Sequence, residues 1–247
     1  MCPELKWSKL DYKDLLPKRA VDAHKGIFGS CLVIAGSMTY MGAAILTAKA
    51  ALRTGVGLVH LIGPESWQAA IVSQAPELIY HPIQMPSACF EPTHLEMVKR
   101  IIDSAKISVL AIGPGLGLDP LTGQFLRDLL PFCEQVKKKV LLDADALRLL
   151  KSDDLKDYQT EIVITPHPKE ASLFFSQEKA LSQEARLSFA KKAIQDFPHT
   201  LVLKGYQTII AQKKPNASAK WIGNSSGNSG LATAGSGDVL AGIIAAL

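Results

Sequence analysis

A carboxylate stands at the start of an apolar segment near the end of the chain. Glycines and other small residues run from Gly223 to Gly237, Asp238 follows directly, and the apolar run Val239–Leu247 predicts a helix. The first N–H groups of a helix have no backbone partner and lie at the positive end of its dipole, so they favour an anion such as phosphate. A carboxylate beside that anion can accept a proton from a hydroxyl group. The segment therefore predicts a site where a phosphate meets a hydroxyl, with Asp238 as the general base.

Apolar runs alternate with amphipathic segments along the rest of the chain. The apolar runs predict buried strands at Ser30–Ala35, Leu58–Ile62, Val109–Ile112, Val140–Leu142, Ile162–Ile164, Leu201–Leu203 and Thr208–Ala211. The amphipathic segments predict helices at Gly42–Thr54, Glu91–Ser104, Leu121–Leu130 and Gln183–Asp196, and residues 211–223 are expected to form a surface hairpin. Strands that alternate with helices indicate an α/β fold with a mostly parallel sheet and helices on both faces.

Polar or glycine-rich motifs follow five of the predicted strands. They are Gly36-Ser37, Gly113–Gly117, Asp143–Asp145, Thr165–Glu170 and Lys204-Gly205. In a parallel sheet the carboxyl ends of the strands lie at the same edge, and ligands bind beyond that edge. These motifs therefore outline a single cleft, which the segment around Asp238 is expected to join.

The acidic and histidine motifs at this edge each allow two interpretations. One of Asp143 and Asp145 is expected to cap a helix at Ala146–Lys151, yet two carboxylates beside an anion site can also hold Mg²⁺ through water. His167, between two prolines, is equally consistent with a ligand contact and with a structural role. Glu170 could cap a helix at Ala171–Phe175 or orient a metal-bound water.

The glycine motifs have ordinary structural explanations as well. A tight turn explains Gly113–Gly117 about as well as a ligand contact does, with Asp119 as the N-cap and Pro120 at the first position of the next helix. This pattern does not support a dinucleotide-binding Rossmann motif. Lys204 and Gly205 suit a phosphate or ribose contact, although a hairpin turn explains them better when they are taken alone. The G-x-S-x-G match at Gly223–Gly227 is a chance match, because no helix follows it directly.

Composition narrows the class of protein. The chain has 247 residues, of which 47% are hydrophobic and only 6% aromatic, and its net charge is +4. These values favour an α/β enzyme and argue against a nucleic-acid-binding surface, for which stacking aromatic residues would be needed. No apolar run reaches the length that spans a membrane. The four cysteines are widely spaced and the first residues have no apolar signal core, so we expect reduced thiols and a cytoplasmic location.

Seven stretches together resemble one family. In chain order they are His24–Ser37, Tyr40–Val59, Ala111–Gly117, Leu141–Leu147, Thr165–Glu170, Leu203–Ile210 and Gly227–Ile243. They resemble the ribokinase-like superfamily and, within it, the NAD(P)H-hydrate dehydratases. The resemblance implies a three-layer α/β/α fold with a mostly parallel central sheet, formed by residues 1–247 as a single domain.

The resemblance also implies roles for individual residues. Asp238 would lie beside the hydrate as the catalytic base. Three further residues would line the hydrate pocket, namely Ala43, Gly117 and His167. The phosphate would be held by Ala234, Gly235, Ser236 and Gly237, and the AMP portion of the nucleotide would contact Lys204, Gly205, Tyr206, Gln207 and Thr208. Glu170 stands where the superfamily has an acidic residue linked to Mg²⁺ through water.

The implied activity is the repair of a damaged cofactor. Enzymes of this family dehydrate NADHX or NADPHX back to NADH or NADPH and consume ADP or ATP. The resemblance also implies a homotetramer. It implies a separate epimerase as well, since the first motif begins near residue 24.

Two features depart from the family pattern. Arg148 occupies a position where the family usually has Asn. The chain ends at Leu247, inside the helix that begins at Asp238, so we expect that it lacks the family's C-terminal helices.

Two other functions remain open from the sequence. A ribokinase-like kinase for a vitamin precursor would use the same glycine loop and Asp238, although the Thr165–Glu170 and Tyr40–Ala44 stretches favour the dehydratase. A nucleotide-binding protein without catalysis would bind ADP or ATP and turn over neither substrate. The sequence leaves open ADP against ATP, NADHX against NADPHX, and the oligomeric state.

Overall fold

One ten-stranded sheet runs through the molecule. The computed structural model describes residues 7–8, 18–87, 89–177, 182–213 and 218–247. The strands are β1 (Trp7–Ser8), β2 (Ser30–Ile34), β3 (Leu58–Pro64), β4 (Ile79–Ile83), β5 (Val109–Ile112), β6 (Lys139–Leu142), β7 (Ile162–Ile164), β8 (Thr200–Leu203), β9 (Thr208–Gln212) and β10 (Lys220–Asn224). The helices are α1 (Met41–Thr54), α2 (Gln68–Gln74), α3 (Leu95–Ser104), α4 (Pro120–Gln135), α5 (Asp145–Leu149), α6 (Pro168–Phe174), α7 (Gln183–Ala193) and α8 (Ser236–Ala246).

The sheet is mostly parallel, as the alternating pattern predicted. Its order is β1-β10-β9-β8-β7-β6-β5-β2-β3-β4. Among the strands of the described residues, β9 alone runs against the direction of the others, since it pairs antiparallel with both β8 and β10 while β1 pairs parallel with β10. The predicted hairpin at residues 211–223 corresponds to the antiparallel pair of β9 and β10. The carboxyl ends of β2, β5, β6, β7 and β8 therefore meet at one edge, where the motifs lie.

Helices cover both faces of the sheet, so the three-layer architecture is confirmed. Residues of α3 to α7 belong to a large buried cluster on one face, which includes Phe125, Phe174 and Phe197. Residues of α1, α2 and α8 belong to a second cluster on the other face, with Val33 and Leu61 at its centre. The strands between the two clusters are nearly continuous apolar runs, because they are buried on both sides.

Several element boundaries differ from the predictions. β4 was not predicted because it is an edge strand whose sequence, Ile-Tyr-His-Pro-Ile, contains polar and partly exposed residues and Pro82. The segment predicted as a helix from Glu91 begins instead with a short 3₁₀ turn at Pro92–His94, and α3 starts at Leu95. α4 continues to Gln135 with Pro131 inside it, and α7 ends at Ala193 instead of Asp196.

Helices α1 and α8 pack very closely against each other. A Cβ at Gly242 would collide with the carbonyl oxygen of Thr47 and would lie 2.8 Å from the Cβ of Ala50. Both helices are rich in small residues, which allows this approach, and each begins at the motif edge of the sheet. The contact therefore fixes the start of α8 beside the start of α1.

No helix in the described part of the chain has the length and apolarity that a bilayer crossing requires.

Candidate active site

The start of α8 presents unpaired N–H groups. Gly235 is the N-cap and has a φ of 84°, a left-handed conformation that glycine adopts without strain. The first helical hydrogen bond is donated by the Val239 N–H to the Gly235 carbonyl. The N–H groups of Gly237 and Asp238 have no acceptor among the described residues. The predicted anion site therefore has the backbone geometry it requires.

An ion pair lies directly opposite this helix start. Lys204 Nζ is 2.6 Å from Asp143 Oδ1, and it is 4.0 Å from Glu170 Oε2. A Cβ at Gly237 would lie 3.7 Å from Lys204 Nζ and 3.9 Å from Asp143 Oδ2. The ends of β6, β7 and β8 thus place a cation and two carboxylates within reach of a ligand held at the α8 N-terminus.

The electrostatic environment makes Asp238 a stronger base than an ordinary carboxylate. Burial raises the pKa of Asp238, the nearby charge of Asp143 raises it further, and the ammonium of Lys204 opposes the rise. Burial also raises the pKa of Asp143, which is 1% exposed, while Lys204 acts against that rise. A general base is more effective when its pKa is closer to the working pH. The direction of the Asp238 shift therefore suits proton abstraction.

His167 and Glu170 form a reciprocal cap at the start of α6. Glu170 Oε2 accepts a hydrogen bond of 2.8 Å from the His167 N–H, and His167 Nδ1 accepts from the N–H groups of Lys169 and Glu170. His167 Nε2 lies 3.0 Å from Glu170 Oε1. Glu170 thus takes part in capping, but as the third residue of α6, with His167 as the N-cap, and not as the cap of a helix at Ala171–Phe175. The imidazole remains about half exposed at the cleft edge, where it can also contact a ligand.

The charge on Glu170 is favoured in the folded protein. Burial acts to raise the pKa of Glu170, but the hydrogen bonds from His167 and the charge of Lys204 together hold it below its ordinary value. Among the described residues, no group of three or more His, Cys, Asp or Glu side chains is arranged to hold a metal ion. Each Glu170 oxygen retains a lone pair beyond the one that His167 uses. The donor set thus fits Mg²⁺ held through water and phosphate oxygens, and does not fit direct coordination by several carboxylates.

Neither Asp143 nor Asp145 caps α5, so that prediction was wrong. The N-cap of α5 is Ala144, which makes no side-chain capping bond. Asp143 instead pairs with Lys204, and Asp145 Oδ2 accepts a hydrogen bond of 2.9 Å from the Gly117 N–H. Asp145 Oδ1 also lies 3.1 Å from Arg148 Nη1. Both carboxylates bind partners from distant segments of the chain, so neither is available to accept a hydrogen bond from the first N–H groups of α5.

The Gly113–Gly117 turn packs against the start of α1 at the edge of the cleft. A Cβ at Gly115 would lie 3.0 Å from the Cβ of Ala43, so this glycine is needed for packing. A Cβ at Gly117 would meet nothing within 4 Å. The tight-turn interpretation therefore accounts for Gly115, while Gly117 borders open space. Asp119 caps α4 by accepting from the Leu121 N–H, with Pro120 at the first position, as predicted.

The turn after β8 is the hairpin turn that connects β8 to β9. It exposes Gly205 and Tyr206, and Thr208 Oγ1 donates to the Gly205 carbonyl oxygen over 3.1 Å. Lys204 itself points into the cleft toward Asp143. The hairpin interpretation is confirmed, and the predicted nucleotide contacts of residues 204–208 stay a prediction because no nucleotide is present.

Two contributors to the site were not predicted from the sequence. The ion pair joins Asp143 to Lys204, which is 61 residues away, and no local pattern couples them. Arg186, in α7, is buried and donates to the carbonyl oxygens of Leu203, Lys204 and Tyr206. An arginine within an amphipathic helix carries no sequence signal for such a contact, so only the folded structure shows it.

The fold and the glycine-bounded helix start define a ribokinase-like protein. A ribokinase-like superfamily protein from Enterococcus faecalis has a TM-score of 0.74 and 27% identity, over 93% of this chain and 74% of that one. An ADP/ATP-dependent NAD(P)H-hydrate dehydratase from Bacillus subtilis, co-crystallised with ATP and Mg²⁺, has a TM-score of 0.73 and 28% identity, over 94% of this chain and 76% of that one.

Sequence comparisons establish the family. The NAD(P)H-hydrate dehydratase family model matches residues 31–247, and the chain belongs to this family. An ADP-dependent (S)-NAD(P)H-hydrate dehydratase from Neisseria meningitidis is 33% identical over 96% of this chain and 75% of its own length. A bifunctional NAD(P)H-hydrate repair enzyme from Moorella thermoacetica is 39% identical over 94% of this chain. The chain spans 41–44% of the length of that enzyme and of three other bifunctional NAD(P)H-hydrate repair enzymes that it resembles.

Proposed function

We propose that this chain dehydrates NAD(P)H hydrate back to NAD(P)H at the expense of ADP or ATP. The observation that carries the proposal is the placement of Asp238. Its carboxylate stands in the first turn of α8, beside free backbone N–H groups and opposite the Asp143–Lys204 pair. Membership of the dehydratase family supports the same reaction. A site for a phosphate and a base for a hydroxyl are the two elements that the reaction requires.

The proposed reaction has two steps, phosphorylation of the hydrate hydroxyl and elimination of phosphate. Asp238 accepts the hydroxyl proton of the hydrate, and the hydroxyl oxygen attacks the terminal phosphorus of the nucleotide, from which AMP or ADP departs. The lone pair of the ring nitrogen then expels inorganic phosphate, and loss of a proton from the adjacent ring carbon restores the dihydropyridine. Phosphorylation is needed because hydroxide is a poor leaving group at neutral pH. The protein contributes positioning and charge stabilisation, as in other phosphoryl transfers.

Some residues around Asp238 bind the nucleotide, and others bind the hydrate. The backbone from Ala234 to Gly237 holds the transferred phosphate, with the Gly237 N–H unpaired while the Ser236 N–H donates to the Thr233 oxygen. Lys204 neutralises charge on the same side of the cleft. Residues 204–208 contact the AMP portion of the nucleotide. Ala43, Gly117 and His167 line the pocket for the hydrate; the open space beside Gly117 supports this placement.

Mg²⁺ would be held by Glu170 through water, and when bound it would neutralise charge on the nucleotide phosphates. A solved relative was co-crystallised with ATP and Mg²⁺, which supports this requirement. Glu170 is fixed by its hydrogen bonds with His167 and retains lone pairs for a water ligand. This chain therefore contributes one oriented carboxylate, and the remaining ligands are phosphate oxygens and water.

The protein is proposed to act as a cytoplasmic homo-oligomer in functional pairing with NAD(P)H-hydrate epimerase activity. The free, buried thiols of Cys31, Cys89 and Cys133 suit a reducing compartment. Relatives described as bifunctional repair enzymes support a functional pairing with an epimerase.

The experiment is an absorbance assay with prepared hydrate. The protein is mixed with NADHX or NADPHX, Mg²⁺ and either ADP or ATP, and the return of dihydropyridine absorbance is followed. The proposal expects recovery that depends on nucleotide. A phosphorylated product from a vitamin precursor, without recovery of absorbance, would support the kinase instead. Nucleotide binding without any turnover would identify a non-catalytic protein.

A further inference from the structure

Arg186 is a buried cation that faces carbonyl oxygens alone. Arg186 is only 6% exposed, and no carboxylate of a described residue lies within ion-pair distance of its guanidinium. Nη1 donates to the Tyr206 oxygen over 2.7 Å, and Nη2 donates to the oxygens of Leu203 and Lys204 over 3.0 and 3.2 Å. Burying an arginine without an anionic partner is costly. All of its hydrogen bonds go to the turn between β8 and β9, so we infer that the buried arginine stabilises the conformation of that turn.

The guanidinium also fixes the shape of the turn by close contact. A Cβ at Gly205 would lie 3.0 Å from Arg186 Nη2 and 3.1 Å from its Cζ. Gly205 has a φ of +143°, which side-chain-bearing residues rarely adopt. The planar guanidinium therefore lies directly against the backbone of Gly205 and leaves no room for a side chain there.

The hydrogen bonds of Arg186 determine where the N–H groups of the turn point. In a planar trans peptide the carbonyl of one residue and the N–H of the next point in opposite directions. The Lys204 and Tyr206 carbonyls point toward α7, so the N–H groups of Gly205 and Gln207 point away from it. Neither N–H has an acceptor among the described residues.

Because they point away from α7, those two N–H groups are expected to face the side of the sheet that carries α8. α7 belongs to the cluster on one face of the sheet and α8 to the cluster on the other. Lys204, in the same turn, already extends toward the start of α8, near Gly237. The free donors of the turn and those of the α8 N-terminus thus serve one cleft.

We propose that Arg186 is a positioning residue for the nucleotide. It holds the Lys204–Gln207 turn so that the N–H groups of Gly205 and Gln207 stay directed at oxygen atoms of the AMP portion of ADP or ATP. The inference rests on the proposed function only in the choice of nucleotide as ligand. Arg186 itself touches no substrate and acts through the turn.

The test compares ADP binding by Arg186→Met, Arg186→Lys and an exposed control, Arg53→Met, whose parent side chain is 79% exposed. Calorimetry measures the Kd for ADP, and a parallel titration measures the Kd for NADH, the product that would occupy the other pocket. Loss of two oriented donors is expected to raise the Kd for ADP about 10- to 100-fold in Arg186→Met. Arg186→Lys should weaken binding too, because one ammonium lacks the rigid fork that reaches three carbonyls. The Kd for NADH should stay within about two-fold.

Other outcomes overturn the inference. They are a folded Arg186→Met variant that binds ADP as tightly as the wild type, or one that loses ADP and NADH affinity equally. If Arg186→Met does not fold, Arg186→Lys, which keeps the buried positive charge, takes its place and must weaken ADP binding in the folded protein. A wild-type chain that binds neither ADP nor ATP also overturns it. A wild-type chain that binds ADP but does not dehydrate the hydrate contradicts the proposed function alone.

Discussion

The ammonium of Lys204 lies 2.6 Å from Asp143 Oδ1, and it would lie 3.7 Å from a Cβ built on Gly237, at the start of α8. One cation thus connects the buried end of β6 to the proposed phosphate site. Since Lys204 also lowers the pKa of Asp238 against the effect of burial, it adjusts the base as well as the anion site.

Asp238→Asn should remove activity without destabilising the fold. Turnover of the hydrate should fall about 10²- to 10⁴-fold, the usual contribution of a general base. Folding raises the pKa of Asp238, so its ionised form costs stability as the pH rises through that pKa. The melting temperature of Asp238→Asn at neutral pH should therefore equal or exceed that of the wild type. A large drop in melting temperature would show that the carboxylate has a structural role instead.

The pH profile should depend on Lys204. Because the pKa of Asp238 is raised, the acid limb of kcat/KM should lie above the pH expected for an ordinary aspartate. Lys204 lowers that pKa, so Lys204→Met should move the acid limb to still higher pH. Lys192→Met, at an exposed position of α7, is the control and should leave the limb unchanged. An acid limb that does not move in Lys204→Met would contradict the proposed coupling.

Asp143 and Lys204 should be energetically coupled in the stability of the protein. Asp143→Asn and Lys204→Met should each lower the free energy of unfolding by about 1–3 kcal/mol. Each substitution removes one side of a charge-assisted hydrogen bond and leaves the other group unpaired. The double variant should be less destabilised than the sum of the two, by at least about 0.5 kcal/mol. Urea unfolding of all four proteins measures this coupling. Strict additivity would show that the ion pair contributes nothing to the fold.

Glu170→Gln should affect both Mg²⁺ dependence and acid stability. The Mg²⁺ concentration for half-maximal turnover should rise several-fold, because a neutral amide attracts a cation less than a carboxylate does. Folding lowers the pKa of Glu170, so its contribution to stability is present above its unfolded pKa and is lost as the pH falls through the folded pKa. Glu161→Gln, an exposed position paired with Lys139, is the matched control. Equal Mg²⁺ dependence in both variants would remove Glu170 from the metal proposal.

Gly242→Ala should be strongly destabilising, whereas Gly42→Ala should not. The added methyl at Gly242 meets the Thr47 carbonyl between α1 and α8, and such overpacking costs about 1–3 kcal/mol. A Cβ at Gly42, in the first turn of α1, meets nothing within 4 Å, so the change should be neutral or stabilise by up to about 1 kcal/mol. Thermal melts of both variants measure the difference. Equal melting temperatures would contradict the close packing of the two helices.

The sequence predicted the parts of the site that have local signals. Apolar runs identified the central strands, because burial on both faces leaves few polar residues in β2, β5 and β7. Small residues before an apolar run identified the start of α8. The Asp119 cap and the Glu170 cap also follow from patterns of three or four residues.

Contacts between distant segments could not be predicted in the same way. The expected α5 cap was wrong because Asp143 finds Lys204 and Asp145 finds the Gly117 N–H across the cleft. Arg186 was not predicted, since its acceptors are backbone carbonyls and carry no side-chain signature. The edge strand β4 lacked a continuous apolar run because only one of its five residues, Ile83, is buried.

The path of the hydroxyl oxygen tests the central claim most directly. Hydrate prepared in water enriched in a heavy oxygen isotope carries the label in its hydroxyl group. The wild-type protein, given ADP or ATP and Mg²⁺, should release one labelled oxygen in each inorganic phosphate, as NAD(P)H is recovered in equal amount. Asp238→Asn should release almost none. Label that appears in water while NAD(P)H is recovered would contradict phosphorylation of the hydroxyl, and full transfer by Asp238→Asn would contradict the role of the carboxylate.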